Sequence, residues 1–257
     1  MTAKRLIAIG ALLAACVALA ASAIGAGAAT VRVGTLVLRA DGGFEPQVLP
    51  KRTYAPIHFQ GHGDIGTTDG SVPPSLQHVK IDFDRDGRIT TTGLSVCQPA
   101  TIEGATPQQA RQRCADAIVG TGHAAAAVPL PGFGRITLRS PLTLFNGPPQ
   151  GGNSTVIAHA QAPFPVSETY VVVVQIERRS GIFGYRVSFD VPPIAGGLGA
   201  ITHLDAKIGR QYSAGGVERS YVSARCSDSI LQTQGYFSFA DGTVIYGSVF
   251  KVCRASN

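Results

Sequence analysis

The chain contains no Trp, a single Met and only 15% charged residues. Without Trp, any carbohydrate-stacking surface would have to be built from the seven Tyr. No G-x-S-x-G elbow, H-E-x-x-H pair, phosphate-cradling G-x-x-x-x-G-K loop or helix-opening G-x-G-x-x-G occurs. These absences leave only the kind of active site that is assembled from distant segments. Lys and Arg form no cluster larger than an adjacent pair, which argues against a nucleic-acid partner. There is no C-x-x-C and no neighbouring Cys/His pair, so a four-cysteine zinc site is not expected. Heptads and short-period repeats are also missing. The 31 Gly and 16 Pro are dispersed through a chain that is 44% apolar, a composition that argues for a packed domain over a disordered linker.

What is present begins with an export signature. Lys4 and Arg5 precede an apolar run from Leu6 to Ala23 and the small-residue stretch Gly25-Ala26-Gly27-Ala28-Ala29, the three regions of a secretory signal peptide. Residues 1–29 are therefore read as a leader and 30–257 as a single β-rich domain, secreted or held in the cell envelope, with no membrane span once the leader is removed. Leu13-Ala14-Ala15-Cys16 has the residue types of a lipobox, which makes lipidation at Cys16 the alternative. Against it, the residues after Cys16 stay apolar for about a dozen positions, where a polar tether is usual. Loss of Lys4 and Arg5 lowers the basic count from 22 to 20 against 16 acids, so the remaining chain is only mildly basic.

Four cysteines remain: Cys97, Cys114, Cys226 and Cys253. An even number in an exported chain implies two disulfides. Of the three pairings, Cys97–Cys114 and Cys226–Cys253 are expected, since each joins residues of one local unit.

The stretch from Gln77 to Cys114 organises the reading. Val79, Ile81 and Phe83 alternate with Lys80, Asp82 and Asp84, the pattern of a strand with one buried face. Arg85-Asp86-Gly87 reads as a three-residue hairpin loop with left-handed Gly87, which sets Phe83 opposite Ile89. Asp82, Asp84 and Asp86 also match the start of a calcium loop. Gly93 stands where the bidentate Glu would be required, so an acidic turn is preferred and calcium is the alternative cofactor. Thr106 caps a helix with Pro107 at its first position, running over Gln108–Ile118 and ended by Gly120 and Gly122.

The remainder reads as strands punctuated by Gly, Pro, Asn and Ser, from Val31–Arg39 through Ser220–Cys226. The expected fold is all-β, a multi-stranded antiparallel sandwich with one short helix and two disulfides. Pro129-Leu130-Pro131-Gly132 marks a subdomain break near 129–134. A closing hairpin turns at Asp241-Gly242, with a two-residue loop setting Phe239 beside Val244 and Phe237 beside Tyr246; its aromatics are read as core.

Among polar residues, His58 and His62 with Asp64 are the nearest approach to a metal site. Residues four apart on a strand stand about 13 Å from each other, so these could share an ion only if Gly61 and Gly63 bend the chain. Loop histidines are the plainer reading. His78, His123, His159 and His203 show no ligand spacing. Glu168, Glu177, Asp190 and Asp205 could serve a glycosidase, but sequence nominates no pair.

Asp82-Phe83-Asp84-Arg85-Asp86-Gly87, Leu144-Phe145-Asn146-Gly147-Pro148, Tyr185-Arg186-Val187, Ile194-Ala195-Gly196-Gly197 and Phe239-Ala240-Asp241-Gly242-Thr243 resemble segments of uncharacterised exported β-rich proteins of actinobacteria, which have no assigned activity. The resemblance implies export and carries no catalytic residue. The functional expectation is a non-enzymatic exported β-domain that binds a cell-envelope component, a protein or a small ligand. A secreted hydrolase with a dispersed active site is the alternative.

Overall fold

A computed structural model describes residues 27–130, 132, 134–162 and 167–256. Apart from its last three positions, the leader read over 1–29 lies outside the described residues, as does Cys16. The chain runs through β1 (Ala29–Val33), β2 (Leu36–Glu45), β3 (Val48–Pro50), β4 (Ala55–Pro56) and β5 (His58–Thr67). After β6 (Leu76–Asp84) and β7 (Gly87–Ile89) come α1 (Pro99–Ile102) and α2 (Pro107–Arg113). A meander follows: β8 (Ile118–Leu130), β9 (Gly134–Asn146), β10 (Ser154–Ala162), β11 (Glu168–Arg178) and β12 (Phe183–Asp190). Then come β13 (Ala200–Ile208), β14 (Gln211–Ala214), β15 (Val217–Ser220) and β16 (Val222–Ala224). β17 (Ile230–Phe239), β18 (Val244–Val252) and β19 (Arg254–Ser256) are the last strands.

Twelve of these strands form one antiparallel sheet, in the order β1-β2-β5-β13-β8-β9-β10-β11-β12-β6-β17-β18. The sheet curls until its two end strands, β1 and β18, lie side by side. Lys251 on β18 bridges this seam to Asp41 on β2 at 2.7 Å. The fold is all-β as expected, and its sandwich character comes from opposite walls of one curled sheet meeting in the middle. Phe59 on β5 meets Phe83 on β6 edge-to-face at 5.4 Å. Leu36, Leu38 and Ile65 pack against Leu76, Val79, Phe239 and Ile245 from the facing wall. Alternation dictates this arrangement: on β6, Val79, Ile81 and Phe83 turn inward, which leaves His78, Lys80 and Asp82 for the outside.

The helices cap one stretch of the outer face. Ile102, Ala105, Ala110 and the Cys97–Cys114 disulfide seal Phe145 and Ile157, which point outward from β9 and β10. Thr106 and Gln109 form a reciprocal capping box at the start of α2. His159, fully buried, donates from Nε2 to the Ala105 carbonyl at 2.9 Å and so pins the helical segment to β10. Cys226–Cys253, the second expected bridge, sits in a cluster with Phe44, Leu49 and Ile57.

Several local expectations are corrected. β6 and β7 do not form a hairpin: both edges of β6 are occupied, by β12 and β17, and β7 pairs with β16 instead. Phe83 therefore lies opposite Tyr185 and Thr233, not Ile89. The helix ends at Arg113, five residues early, and a second helix, α1, precedes it. Gly120 and Gly122 do not terminate it; they lie within β8, where a Cβ on Gly122 would sit 1.9 Å from the Asp205 carbonyl oxygen. Only glycine lets β13 approach so closely. The strand expected over Val31–Arg39 is broken by a turn at Gly34 and Thr35. The closing hairpin has a three-residue loop with left-handed Gly242, which pairs Phe237 with Ile245 and Tyr236 with Tyr246. This slip of one residue turns Tyr236 and Tyr246 outward while Phe237 and Phe239 stay in the core. β8 and β9, on either side of the 129–134 stretch, are hydrogen-bonded neighbours in the one sheet.

Candidate functional site

The three aspartates of the calcium-like turn are each engaged by protein donors. Asp82 receives both arms of Arg186 at 2.8 Å. Asp84 accepts the backbone N–H groups of Asp86 and Gln232. Asp86, 1% exposed, accepts from Arg225 Nε and from the Ser227 N–H, both at 2.8 Å. Burial alone would raise the Asp86 pKa, but the bonds from Ser227 and Arg225 outweigh it and hold the carboxyl below its ordinary value. Asp84 goes the other way: its burial outweighs the two N–H bonds and raises its pKa. The turn thus serves as an anchor for the segment leading to Cys226.

The densest polar chemistry lies on the outer face of β2-β5-β13-β8. β5 runs unbroken from His58 to Thr67, so His58 and His62 stay apart along one strand and Gly61 and Gly63 do not fold them together. The register across strands does what spacing along the strand cannot. Asp41, His62, Asp205 and His123 stand in one row across the four strands, each paired with the next. In the adjoining row, Arg39 pairs with Asp64 and Asp64 with His203.

Side chains link the two rows. His203 Nδ1 meets Asp64 Oδ1 at 2.7 Å, and its Nε2 meets Asp205 Oδ2 at 3.3 Å. The same Asp205 oxygen is 3.3 Å from His123 Nδ1. The bond to Asp64 lifts the His203 pKa above its ordinary value; partial desolvation opposes this and Asp205 reinforces it. Among the described residues, no three His, Cys, Asp or Glu side chains are already gathered as the ligands of an ion. Of the residues singled out in sequence, His62, Asp64 and Asp205 belong to this panel. His58 stands outside it, with its ring against Gly209. His123 and His203, which had shown no ligand spacing, belong to it.

The remaining acids do not converge. Glu168 bonds to Tyr170, Asp190 to His78 at 2.6 Å, and Glu177 pairs with Arg186 across β11 and β12. A hollow of about 250 Å³ lies between His58, Thr121, Lys207 and Arg210, and another of about 580 Å³ lies along α2 at Gln108, Arg111 and Gln112; both are open to solvent. On the opposite wall, Tyr246, 62% exposed, meets Tyr236 edge-on at 5.0 Å, and the Lys80 ammonium sits over the Tyr236 ring. Among the described residues no helix is long and apolar enough to cross a membrane. Two disulfides fit an oxidising compartment. Compared with known proteins, the chain matches no family model, no curated protein and no solved structure.

Proposed function

We propose that the chain is an exported, disulfide-braced β-domain that works by binding, not by catalysis, and that its ligand is a component of the cell envelope held on the outer face of the sheet. The supporting observation is where the polar groups are. The interior is filled by apolar side chains such as Leu38, Phe239 and Ile245, while the cluster of Asp64, His203, Asp205 and His123 and the Tyr236–Tyr246 pair stand on open outer walls. Catalysis gains most from a concave site that excludes water, and an open wall suits recognition of an extended partner. One observation favours the hydrolase alternative: the Asp64–His203 pair has the form of a base and its orienting acid. Both nitrogens of His203 meet carboxylates, however, and among the described residues neither is hydrogen-bonded to a Ser, Thr or Cys.

The test is co-sedimentation of the leaderless protein with purified cell-wall polymer, run beside a panel of ester, glycoside and peptide reporters. Saturable co-sedimentation without turnover is expected. Turnover of any reporter that is lost in His203→Ala would overturn the reading in favour of a hydrolase.

A further inference from the structure

We propose that His203, Asp205, His123 and His62 form a binding site for a divalent transition-metal ion of the zinc class, with Asp64 as the residue that orients His203. This goes beyond the binding role above and does not depend on it. The first support is the distances. A charge-assisted N–H···O bond usually spans about 2.7–2.9 Å. The Asp64–His203 contact, at 2.7 Å, obeys that rule, whereas the two contacts of Asp205 Oδ2, both 3.3 Å, do not. Ligand atoms about 2.0–2.1 Å from a tetrahedral zinc ion are separated by about 3.3–3.4 Å, because a tetrahedron's edge is about 1.6 times its centre-to-vertex distance. Asp205 Oδ2 is thus at the edge length of such a tetrahedron from His203 Nε2 and, separately, from His123 Nδ1, without the three yet being gathered about one centre.

The second support is the position of Asp64. Metal-bound imidazoles characteristically donate their other N–H to a carboxylate, which fixes the tautomer and aims the ligand nitrogen. Asp64 does this for His203: it accepts the hydrogen bond from Nδ1–H and leaves Nε2 facing Asp205. The ion replaces the Nε2 proton, which passes to solvent.

The third support is the register. His62 and His123 flank Asp205 on the two neighbouring strands, each directly opposite it, with Cβ separations of about 4.5–5.5 Å on an antiparallel sheet. Gathering the ligands about one ion requires the His123 and His62 rings to turn toward Asp205. His123 is 74% exposed and His62 is exposed, so both rotate freely on the ps–ns scale. Imidazole and carboxylate donors suit zinc, copper or nickel better than calcium or magnesium, which prefer all-oxygen sets.

The experiment is a Zn²⁺ titration of the leaderless, disulfide-intact protein against a chromophoric chelator, with ¹⁵N imidazole NMR of the same sample. One ion per chain is expected, with the Nε2 resonance of His203 and the Nδ1 resonance of His123 moving together. His203→Ala and Asp205→Asn should abolish stoichiometric binding, and Asp64→Asn should weaken it by about ten- to a hundredfold. His58→Ala, on the same strand face but outside the panel, should leave it unchanged. Circular dichroism in chelator keeps the comparison to variants that fold. The proposal is overturned if stoichiometric binding survives His203→Ala, if His58→Ala weakens it equally, or if zinc moves no His203 resonance in the wild type. Loss of zinc binding would leave cell-wall co-sedimentation intact, which separates the two readings.

Discussion

Replacing Asp86 should reveal how the middle of the chain is fastened to its C-terminal part. The carboxylate is 1% exposed and neutralises Arg225, whose guanidinium lies over the Tyr54 ring, while also capping the Ser227 N–H; the Asp86 carbonyl accepts a further bond from the Arg225 N–H. Breaking a fully buried ion pair from one side costs about 3–5 kcal/mol, and the orphaned N–H adds about 1–3 kcal/mol. Arg225 retains 31% side-chain exposure and so recovers part of its hydration, which brings the expectation for Asp86→Ala to about 3–4 kcal/mol. Asp86→Asn keeps one acceptor and should cost about 1–2 kcal/mol. The sign of the pH dependence follows from the lowered pKa. A carboxyl depressed in the folded state stabilises fully above its unfolded value, near 3.8, and loses that contribution as pH falls toward the folded value. Urea unfolding of wild type and Asp86→Asn should therefore differ by a constant amount from about pH 5 to 7 and converge below 3.8. A gap that persists undiminished at the acid end, or a cost below about 0.5 kcal/mol for Asp86→Ala, would refute this reasoning.

Other expected outcomes are equally specific. Gly122→Ala places a methyl 1.9 Å from the Asp205 carbonyl, so β8 and β13 must separate; thermal melts should show a loss of at least about 3 kcal/mol or failure to fold, where Gly66→Ser, with nothing within 4 Å of its Cβ and no left-handed backbone, costs far less. On the chain-entropy model, with a sequence separation of 27 from Cys226 to Cys253 and of 17 from Cys97 to Cys114, Cys253→Ser should cost about 3.5 kcal/mol and Cys114→Ser about 3 kcal/mol. Hydrogen exchange should localise the second loss to α1 and α2 and the first to β3, β17, β18 and β19. Burial lowers the His159 pKa, with nearby Arg111 adding to the effect against its bond to Ala105. The unfolded chain therefore takes up the proton first, and stability should decline as pH falls below about 6.5, a decline that His159→Gln abolishes.

The strands and their facing were legible because burial writes itself into the sequence at period two: Val79, Ile81 and Phe83 could face only one way. Thr106 and Pro107 announced the start of α2, and close spacing along the chain made both disulfides readable. The failures were of tertiary origin. Asp86-Gly87 carries a turn signal, but whether a hairpin follows depends on which strands compete for the edges of β6, and β12 and β17 won. Loop length at Asp241-Gly242 was ambiguous because the same dipeptide serves two- and three-residue turns. The His–Asp panel was illegible for a plainer reason. Asp64 and His203 are 139 positions apart, and His123 and Asp205 are 82 apart, so no local spacing connects them. One signal was available: His203 and Asp205 take the polar positions of the alternating run Thr202–Ile208, which marks them as outward-facing. Only the strand order β5-β13-β8 brings His62 and His123 into one patch with them.

The claim that the chemistry of this chain lies on the outer wall of β5, β13 and β8 is tested most directly by zinc-edge anomalous diffraction from crystals of the leaderless protein grown with equimolar Zn²⁺. A single peak within bonding distance of His203 Nε2 and Asp205 Oδ2, with Asp64 behind His203, is the predicted result. A peak at His58 or at the Asp82–Asp86 turn, or none on this wall, would contradict it.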